Sequence, residues 1–164
     1  MKLAIIAAIS ENNVIGNKGK IPWHISEDLK RFKKLTLNHP VIMGRNTYFS
    51  ILEQLGKPLP NRTNIVLSND PNFNSDEQII VARTLSEAVK KASNLDEQIY
   101  FIGGQKVYEQ AIKIANYMHL TLVKGIYDGD AFFPKLNSQE WREVFREYHE
   151  NFSFADYNRK YWHA

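Results

Sequence analysis

Short runs of apolar, mostly β-branched residues recur along the first two thirds of the chain, at residues 3–9, 41–43, 65–67, 79–81 and 99–102. Their apolar residues are continuous rather than alternating, which is typical of central strands covered on both faces. Between them, apolar residues recur at helical spacing, in one stripe from Leu85 to Ala92 and another from Val107 to Ala115. This alternation of strand and helix predicts a mainly parallel sheet with helical crossovers.

The last part of the chain has a different pattern, with longer strand-like segments of mixed polarity at residues 117–124, 143–149 and 157–162. No helical stripe separates these segments, so we expect them to add antiparallel strands at one edge of the sheet. The whole pattern predicts one α/β domain over residues 1–164. It should have a central mixed, mainly parallel β-sheet, about four flanking helices and antiparallel C-terminal edge strands.

Composition agrees with one globular domain, because the chain has 164 residues, of which 43% are hydrophobic and 24% charged. It contains no cysteine, which excludes disulfides, thiolate zinc sites and a cysteine nucleophile and permits a cytoplasmic location. The net charge of +3 is too small to indicate nucleic-acid binding but suits a small anionic ligand. The apolar N-terminus superficially resembles a signal peptide, but the run is short and no cleavage region follows. We therefore expect a buried first strand and no membrane segment.

Asp28 is the first candidate for chemistry. A loop at residues 16–22, with two glycines and a proline, precedes a predicted helix with Ser26 as its N-cap and an end near Thr36. In that helix, Asp28 shares a face with the apolar Phe32, and a carboxylate there is costly to bury without a partner. Two interpretations remain open. Asp28 complements the helix dipole, or it awaits paired N–H donors from a ligand such as a protonated amino-heterocycle.

Two further segments each place glycine between a buried strand and a helix, at Gly44 and at Gly103-Gly104. Such turns let a phosphate approach free backbone N–H groups, and Arg45 and Lys106 add a cation beside each turn. Neither segment is a Walker loop or the G-x-G-x-x-G fingerprint. An ordinary turn with a solvated arginine remains an alternative for the first. Two such turns in a short chain favour a dinucleotide bound beyond the carboxyl ends of the strands.

The other reactive residue types show no catalytic pattern. The five histidines lack metal-ligand spacing, and no serine lies in a nucleophile elbow. The three tryptophans are too scattered for a base-stacking platform. We therefore expect no metal and no nucleic-acid partner.

Short motifs follow one another along the chain: Ala7-Ala8, Val14-Ile15-Gly16, Pro22-Trp23, Asp28-Leu29 with Phe32-Lys33, Val41-Ile42-Met43-Gly44-Arg45 with Thr47, Pro58-Leu59-Pro60-Asn61-Arg62, Asn64-Ile65-Val66-Leu67-Ser68, Ile102-Gly103-Gly104 with Val107-Tyr108, Leu120-Thr121, and Gly129-Asp130 with Phe133-Pro134. In this order and spacing they resemble the bacterial, chromosomal type of dihydrofolate reductase over nearly the whole chain. The resemblance implies NADPH-dependent reduction of 7,8-dihydrofolate to 5,6,7,8-tetrahydrofolate. It also implies a cytoplasmic monomer that serves one-carbon metabolism and is a target of antifolates.

The resemblance also implies roles for residues at the substrate site. Asp28 resembles the family's acidic pterin anchor and Thr121 its hydrogen-bonding partner. Arg62 resembles the guanidinium that grips the substrate's glutamate, with Lys33 assisting. The apolar walls around the pterin and benzoyl rings would be Ile6, Ala7, Leu29, Phe32, Ile51, Leu59 and Ile102. The implied catalytic set is Asp28, Trp23, Thr121 and Tyr108.

On the cofactor side, the resemblance places the nicotinamide and its ribose near Ala8, Ile15 and Gly16. It places the 2′-phosphate near Arg45, which favours NADPH over NADH. The other implied cofactor-binding residues are Gly44, Asn46, Thr47, Leu67, Ser68, Asn69, Ile102, Gly103, Gly104, Gln105, Lys106, Val107 and Tyr108. A cis peptide bond between Gly103 and Gly104 is also implied.

The chemistry that this family performs adds a hydride to C6 of the substrate and a proton to N5. Asp28 would lie too far from N5 to deliver that proton, so we expect it to anchor and polarise the ring. Water admitted past the loop at residues 16–23 is the expected proton donor, and the same loop would exclude bulk water during hydride transfer. Burial should raise the pKa of Asp28, whereas a bound cationic pterin should lower it.

Four features depart from the commonest bacterial pattern: the added segment Leu52-Glu53-Gln54-Leu55, the pair Tyr48-Phe49, Ala131 in place of a common threonine, and Lys18-Gly19-Lys20 in the loop.

Two other functions remain alternatives. One is the related NADPH-dependent reductase of riboflavin biosynthesis, and the other is a catalytically silent nucleotide-binding module. Asp28 and Arg62 favour the folate enzyme over both, because they suit a pterin with a glutamate tail.

Overall fold

Eight strands form one sheet in the computed structural model, which describes residues 1–73 and 78–161. They are β1 (Lys2–Ser10), β3 (Pro40–Gly44), β4 (Thr63–Leu67), β5 (Ile79–Ala82), β6 (Gln98–Phe101), β7 (Tyr117–Val123), β9 (Trp141–Tyr148) and β10 (Phe152–Arg159). Two short strands, β2 (Val14–Gly16) and β8 (Ala131–Phe132), pair antiparallel in a small second sheet. The order across the large sheet is β5-β4-β3-β6-β1-β7-β10-β9.

Helices connect the parallel strands, as the alternating pattern predicts. In the described part of the chain they are α1 (Ser26–Thr36), α2 (Arg45–Leu55), α3 (Leu85–Ser93) and α4 (Gln105–Ala111). In the order across the sheet, each pair of neighbouring strands from β5 through β4, β3, β6 and β1 to β7 is parallel. Strand β10 pairs antiparallel with both β7 and β9. The prediction of a mixed, mainly parallel sheet with antiparallel C-terminal strands is confirmed. As a result, the carboxyl ends of β1, β3, β4 and β6 meet at one edge.

Two details of the C-terminal prediction are wrong. The segment at residues 117–124 is parallel to β1. The crossover through α4 carries the chain back to the side of the sheet where β1 begins, so the next strand runs in the same direction as β1. The last strand begins at Phe152 rather than at residue 157, since a tight turn closes with His149 N donating to Phe152 O. That strand ends at Arg159, and Trp162 lies outside the described residues.

Two helix boundaries also differ from expectation. Ile25, not Ser26, occupies the N-cap position of α1, and no side chain caps that end. Helix α4 ends at Ala111, although the apolar stripe continues to Ala115. Ala115 is nevertheless fully buried. The apolar spacing therefore predicts which residues pack against the core, even beyond the end of the helix.

The core consists of two apolar clusters, one on each face of the sheet. Along β1 the side chains alternate, so Ile5 belongs to one cluster and Ile6 to the other. Helices α3 and α4 cover the first cluster, and α1 and α2 cover the second. This arrangement explains why the central strands are apolar at consecutive positions. Among the described residues, no helix is long and apolar enough to cross a membrane.

Candidate active site

A cavity of about 970 Å³ opens at the carboxyl ends of the parallel strands. Its volume is at the upper end of the usual range for ligand sites, about 300–1,000 Å³. Every residue that the sequence analysis assigns to the cofactor lines it, from Ala8 on β1 to Tyr108 on α4. The glycine turns after β3 and β6 therefore lie in one site, as the argument from strand ends predicts.

Gly103 joins these two turns through a backbone hydrogen bond. Its peptide bond to Gly104 is cis, as the resemblance implies, and its carbonyl accepts a hydrogen bond from Gly44 N at 2.8 Å. Gly103 has a φ of +125°, and a Cβ there would lie 3.3 Å from the Tyr108 hydroxyl and 3.5 Å from Thr47 Oγ1. Glycine is required here for its conformation and for the narrow space.

The sequence did not assign the following other residues of this cavity to the cofactor: Gly19, Lys20, Ile21, Ser50, Arg83, Thr84, Leu85, Glu109, Gln110, Asp130 and Ala131. Arg83 directly follows β5, as Arg45 follows β3. This position at the end of a parallel strand could have identified Arg83 as a residue of the cavity. With Lys106, these two arginines give the cavity cations that suit the phosphates of a dinucleotide. Arg45 Nη1 lies 3.4 Å from Asp70 Oδ2, in an exposed pair. This set of donors fits NADPH.

Asp28 does not line this cavity but lies on α1 beside β7. Thr121 Oγ1 donates a hydrogen bond to Asp28 Oδ1 at 2.5 Å. Burial raises the pKa of Asp28, and both the hydrogen bond from Thr121 and the charge of Arg31 oppose that effect. A carboxylate that merely complements a helix dipole needs neither this burial nor a partner on another strand. The structure therefore favours a ligand-directed role for Asp28.

Tyr108 connects the cavity with the surroundings of Asp28. It is 5% exposed, lines the cavity, and donates its hydroxyl hydrogen to Ile6 O at 2.8 Å. Burial raises the pKa of the Tyr108 phenol, and the negative charge of Asp28 raises it further. The phenol is thus a neutral donor that fixes the β1 backbone between the two halves of the site.

Most of the implied apolar wall lies together. Two of its members, Ile6 and Leu59, are buried in the second core cluster, and three more pack against that cluster: Phe32, Ile51 and Ile102. The added segment noted above continues α2 to Leu55, and its Leu52 packs against the same cluster. Ala7 belongs to the first cluster on the other face of β1, so its side chain does not join this wall. Leu29 is 52% exposed on α1.

Arg62 lies at the opposite end of α1 from Asp28. Its Nε donates to Pro60 O at 2.9 Å and its Nη1 to Thr36 Oγ1 at 3.3 Å. Thr36 is about 12 Å along the helix axis from Asp28, at 1.5 Å per residue. A cation is therefore held two helical turns from the carboxylate, with the apolar wall beside them. Lys33 is exposed on the same helix.

The loop before α1 is held at two points. Lys18 N donates to Asp130 Oδ2 at 3.1 Å, and Gly16 pairs with Ala131 between β2 and β8. Trp23 packs edge-on against Tyr127, and its buried Nε1 makes no hydrogen bond to any described residue. The described residues contain no group of three or more histidine, aspartate or glutamate side chains arranged to hold a metal ion.

Comparison with known proteins identifies the family. The chain matches the family model described as dihydrofolate reductase over residues 2–163. It is 42% identical over 162 residues to a dihydrofolate reductase of Buchnera aphidicola subsp. Schizaphis graminum, across 98% of this chain and 94% of that protein. It is 40% identical over 161 residues to the dihydrofolate reductase of Haemophilus influenzae, across 98% and 94%.

A solved structure gives the same result. The dihydrofolate reductase from Enterococcus faecalis, complexed with NADP(H) and RAB-propyl, matches with a TM-score of 0.86 at 30% identity, across 96% of each chain. The family match therefore extends over nearly the whole sequence, and the fold agrees with it. This chain belongs to the dihydrofolate reductase family of NADPH-dependent enzymes.

Proposed function

We propose that this enzyme reduces 7,8-dihydrofolate to 5,6,7,8-tetrahydrofolate by adding a hydride to C6 and a water-derived proton to N5. The observation that carries the proposal is the half-buried Asp28 carboxylate, which Thr121 holds at 2.5 Å close to a cavity large enough for a dinucleotide. When bound in that cavity, NADPH supplies the hydride. The product would feed one-carbon transfer in thymidylate, purine and amino-acid synthesis.

Asp28 anchors the pterin ring. Its carboxylate accepts two parallel N–H bonds from the 2-amino group and N3, which fixes the orientation of the ring. Thr121 holds Oδ1 in place while these bonds form. The buried negative charge also stabilises the positive charge that protonation of N5 brings to the ring.

Trp23 and its loop control water. The buried indole Nε1 is an N–H donor without a partner among the described residues, and a water molecule that accepts from it would be held at the mouth of the site. That water delivers the proton to N5. The loop from Gly16 to Trp23, held by Asp130, excludes other water while the hydride is transferred.

The first test is the loss of NADPH absorbance after dihydrofolate is added to the purified enzyme. Rapid oxidation supports the proposal. Oxidation with the ribosyl-pyrimidine substrate of riboflavin biosynthesis, and not with dihydrofolate, would identify the related reductase instead. Tight NADPH binding without oxidation of either substrate would indicate the silent nucleotide-binding module.

Arg62→Lys should raise the KM for dihydrofolate about tenfold and leave kcat nearly unchanged. The lysine keeps the charge but loses the planar fork that grips a carboxylate, and a contact made equally in ground and transition states changes KM alone. Steady-state kinetics with dihydrofolate and with a pterin substrate that lacks the glutamate provides the measurement. The tail-free substrate should show no difference between the two enzymes. An equal loss on both substrates would contradict a role of Arg62 in binding the tail.

Arg45→Gln should raise the KM for NADPH about tenfold and leave the KM for NADH within twofold, because only NADPH carries the 2′-phosphate. Asp70→Asn is the matched control: it removes the carboxylate that faces Arg45 at 3.4 Å and leaves the arginine free for phosphate. It should leave the KM for NADPH unchanged or lower it. Equal effects of Arg45→Gln on the two cofactors would place the 2′-phosphate elsewhere.

We further propose that the enzyme works as a monomer in the cytoplasm and that antifolates compete with dihydrofolate for its pocket. The two halves of the site are the cofactor cavity on one side and the pair of Asp28 and Thr121 on the other. Small molecules are its proposed partners, without nucleic acid or membrane. A chain without cysteine is compatible with the reducing cytoplasm, which is why we place the reaction there.

A further inference from the structure

A second charged cluster lies against α1, one turn beyond Asp28. Asp156 on β10 accepts a hydrogen bond at Oδ1 from Arg31 Nη2 at 2.7 Å, and the same oxygen is 3.0 Å from His119 Nδ1 on β7. The three side chains are mostly buried, with 21%, 18% and 10% exposure for Asp156, Arg31 and His119. Charged groups in such surroundings interact more strongly than a surface pair and are costly to separate.

The register of the strands places this cluster next to the partner of Asp28. Thr121 and His119 are two residues apart on β7, so their side chains project from the same face. Across the antiparallel pairing, Thr121 lies opposite Phe154, and His119 lies opposite Asp156. The Arg31 guanidinium packs on the Phe154 ring, 4.6 Å from its centroid. Helix α1 is therefore joined to two neighbouring pairs of residues on β7 and β10.

The cluster also acts on Asp28 electrostatically. Burial raises the pKa of Asp28, while the hydrogen bond from Thr121 and the charge of Arg31 lower it. Tyr108 on α4 also interacts with Asp28, and burial keeps its phenol protonated by raising its pKa. Arg31 is consequently the neighbouring charge that favours the ionised carboxylate.

Asp156 offsets part of that charge. Burial raises the pKa of Asp156, but the bonds from His119 and Arg31 outweigh burial and hold the pKa below its usual range. Lys2 on β1 also interacts with Asp156: burial lowers the pKa of Lys2, and the carboxylate opposes that effect. Asp156 is thus an anion that fixes Arg31 in place and reduces the positive charge that reaches Asp28.

We propose that Arg31, Asp156 and His119 form a positioning network that clamps α1 to β7 and β10 and thereby sets the placement of the Asp28 carboxylate and the charge around it. The inference rests on the proposed role of Asp28 as the substrate anchor. Arg31 supplies positive charge to Asp28, Asp156 limits that charge, and His119 holds Asp156 against Arg31. All three are positioning residues, because they act on the reaction through Asp28.

Arg31→Met and Asp156→Asn test the network because they should shift the titration of Asp28 in opposite directions. The methionine keeps an unbranched side chain on Phe154 without the charge, so the Asp28 midpoint should rise. The asparagine keeps the shape and the Oδ1 acceptor but no longer offsets Arg31, so the midpoint should fall. The measurement is ¹³C NMR of carboxyl-labelled aspartate in the free enzyme, with the Asp28 resonance assigned by its absence from Asp28→Asn. Arg31→Met should also lose about tenfold in kcat/KM for dihydrofolate, because it removes the bond that clamps α1 and so displaces the anchor.

Two further variants separate this role from simple structural support. Lys30→Met removes an exposed cation of the same helix and should leave the Asp28 midpoint in place. Arg31→Lys keeps the charge without the fork, so it should retain the wild-type midpoint while the KM for dihydrofolate still rises. If Arg31→Met fails to fold, the KM of Arg31→Lys tests the clamp in its place.

The proposal would be overturned if the titration midpoint of Asp28 moved in the same direction in Arg31→Met and Asp156→Asn. It would also be overturned if that midpoint did not move while the melting temperature of the variants fell. A Lys30→Met shift as large as that of Arg31→Met would overturn it as well. The titration needs no turnover. A protein that fails to reduce dihydrofolate would refute the proposed function and leave the outcome of the titration readable.

Discussion

Asp28→Asn should lower kcat/KM for dihydrofolate about 10³-fold at pH 7, equivalent to about 4 kcal/mol of transition-state stabilisation, and change the Kd for NADPH less than twofold. The asparagine keeps the hydrogen bond from Thr121 but loses the charge and one acceptor, so it cannot take two N–H bonds from the ring. The cofactor cavity does not include Asp28, which is why NADPH binding should survive. Stopped-flow hydride transfer and fluorescence titration with NADPH provide the two measurements.

The pH dependence should follow from the raised pKa of Asp28, which has burial as its main cause. As the pH falls, the wild-type carboxyl takes up a proton. The difference in kcat/KM between the wild type and the asparagine variant should therefore become smaller at acid pH and be largest near neutral pH. A raised pKa also means that ionised Asp28 costs the folded state stability as the pH rises through that pKa. The variant should therefore melt no lower than the wild type at pH 7, and lost activity cannot be attributed to unfolding.

Glu27→Gln is the matched control for this prediction. Glu27 is exposed and lies in the same first turn of α1, so it has the same relation to the helix dipole as Asp28. If the dipole were the reason for an acid at residue 28, the two substitutions would have similar small effects, each worth about 0.3–1 kcal/mol. We expect Glu27→Gln to retain wild-type activity. An asparagine variant within tenfold of the wild type would remove Asp28 from the mechanism.

The parts of this protein that local sequence patterns determine were predictable. A glycine between an apolar strand and a helix, as at Gly44 and Gly103, identifies a turn that a phosphate can approach. Parallel strands then bring such turns to one edge, which is where the cavity lies. Asp28 was identifiable for a similar reason, because a carboxylate among apolar residues on one helix face requires a partner.

What could not be predicted depends on contacts between residues far apart in the chain. The direction of β7 follows from where the α4 crossover ends, and the apolar stripe does not encode that. Tyr108 bonds to Ile6 across 102 positions, and Arg31 bonds to Asp156 across 125. Neither pair has a local signature, since a lone arginine on a helix that also carries three lysines resembles a solvated face. The Tyr108 contact links the two halves of the site, and the Arg31 contact holds the helix that carries Asp28.

Gly103→Ala should weaken NADPH binding about 100-fold, which corresponds to about 2.7 kcal/mol, and leave dihydrofolate binding to the free enzyme within twofold. At a φ of +125° an alanine is strained, and its Cβ would lie 3.3 Å from the Tyr108 hydroxyl and 3.5 Å from Thr47 Oγ1. The Gly103 backbone, whose carbonyl accepts the hydrogen bond from Gly44 N, would have to move. The turn after β6, which faces the proposed phosphate site, would move with it. Fluorescence titration with NADPH gives the affinity, and thermal unfolding gives the stability.

Gly56→Ala separates backbone strain from the loss of close approach. Gly56 also has a positive φ, +73°, but a Cβ there meets nothing within 4 Å, and the residue ends α2 outside the cavity. It should lose about 1 kcal/mol of stability from left-handed strain and bind NADPH as the wild type does. Equal NADPH affinities for Gly103→Ala and Gly56→Ala would mean that the phosphates do not approach the Gly103 backbone. A loss confined to Gly103→Ala would assign that approach to the turn after β6, because strain, a narrow space and the cavity wall coincide at Gly103 but not at Gly56.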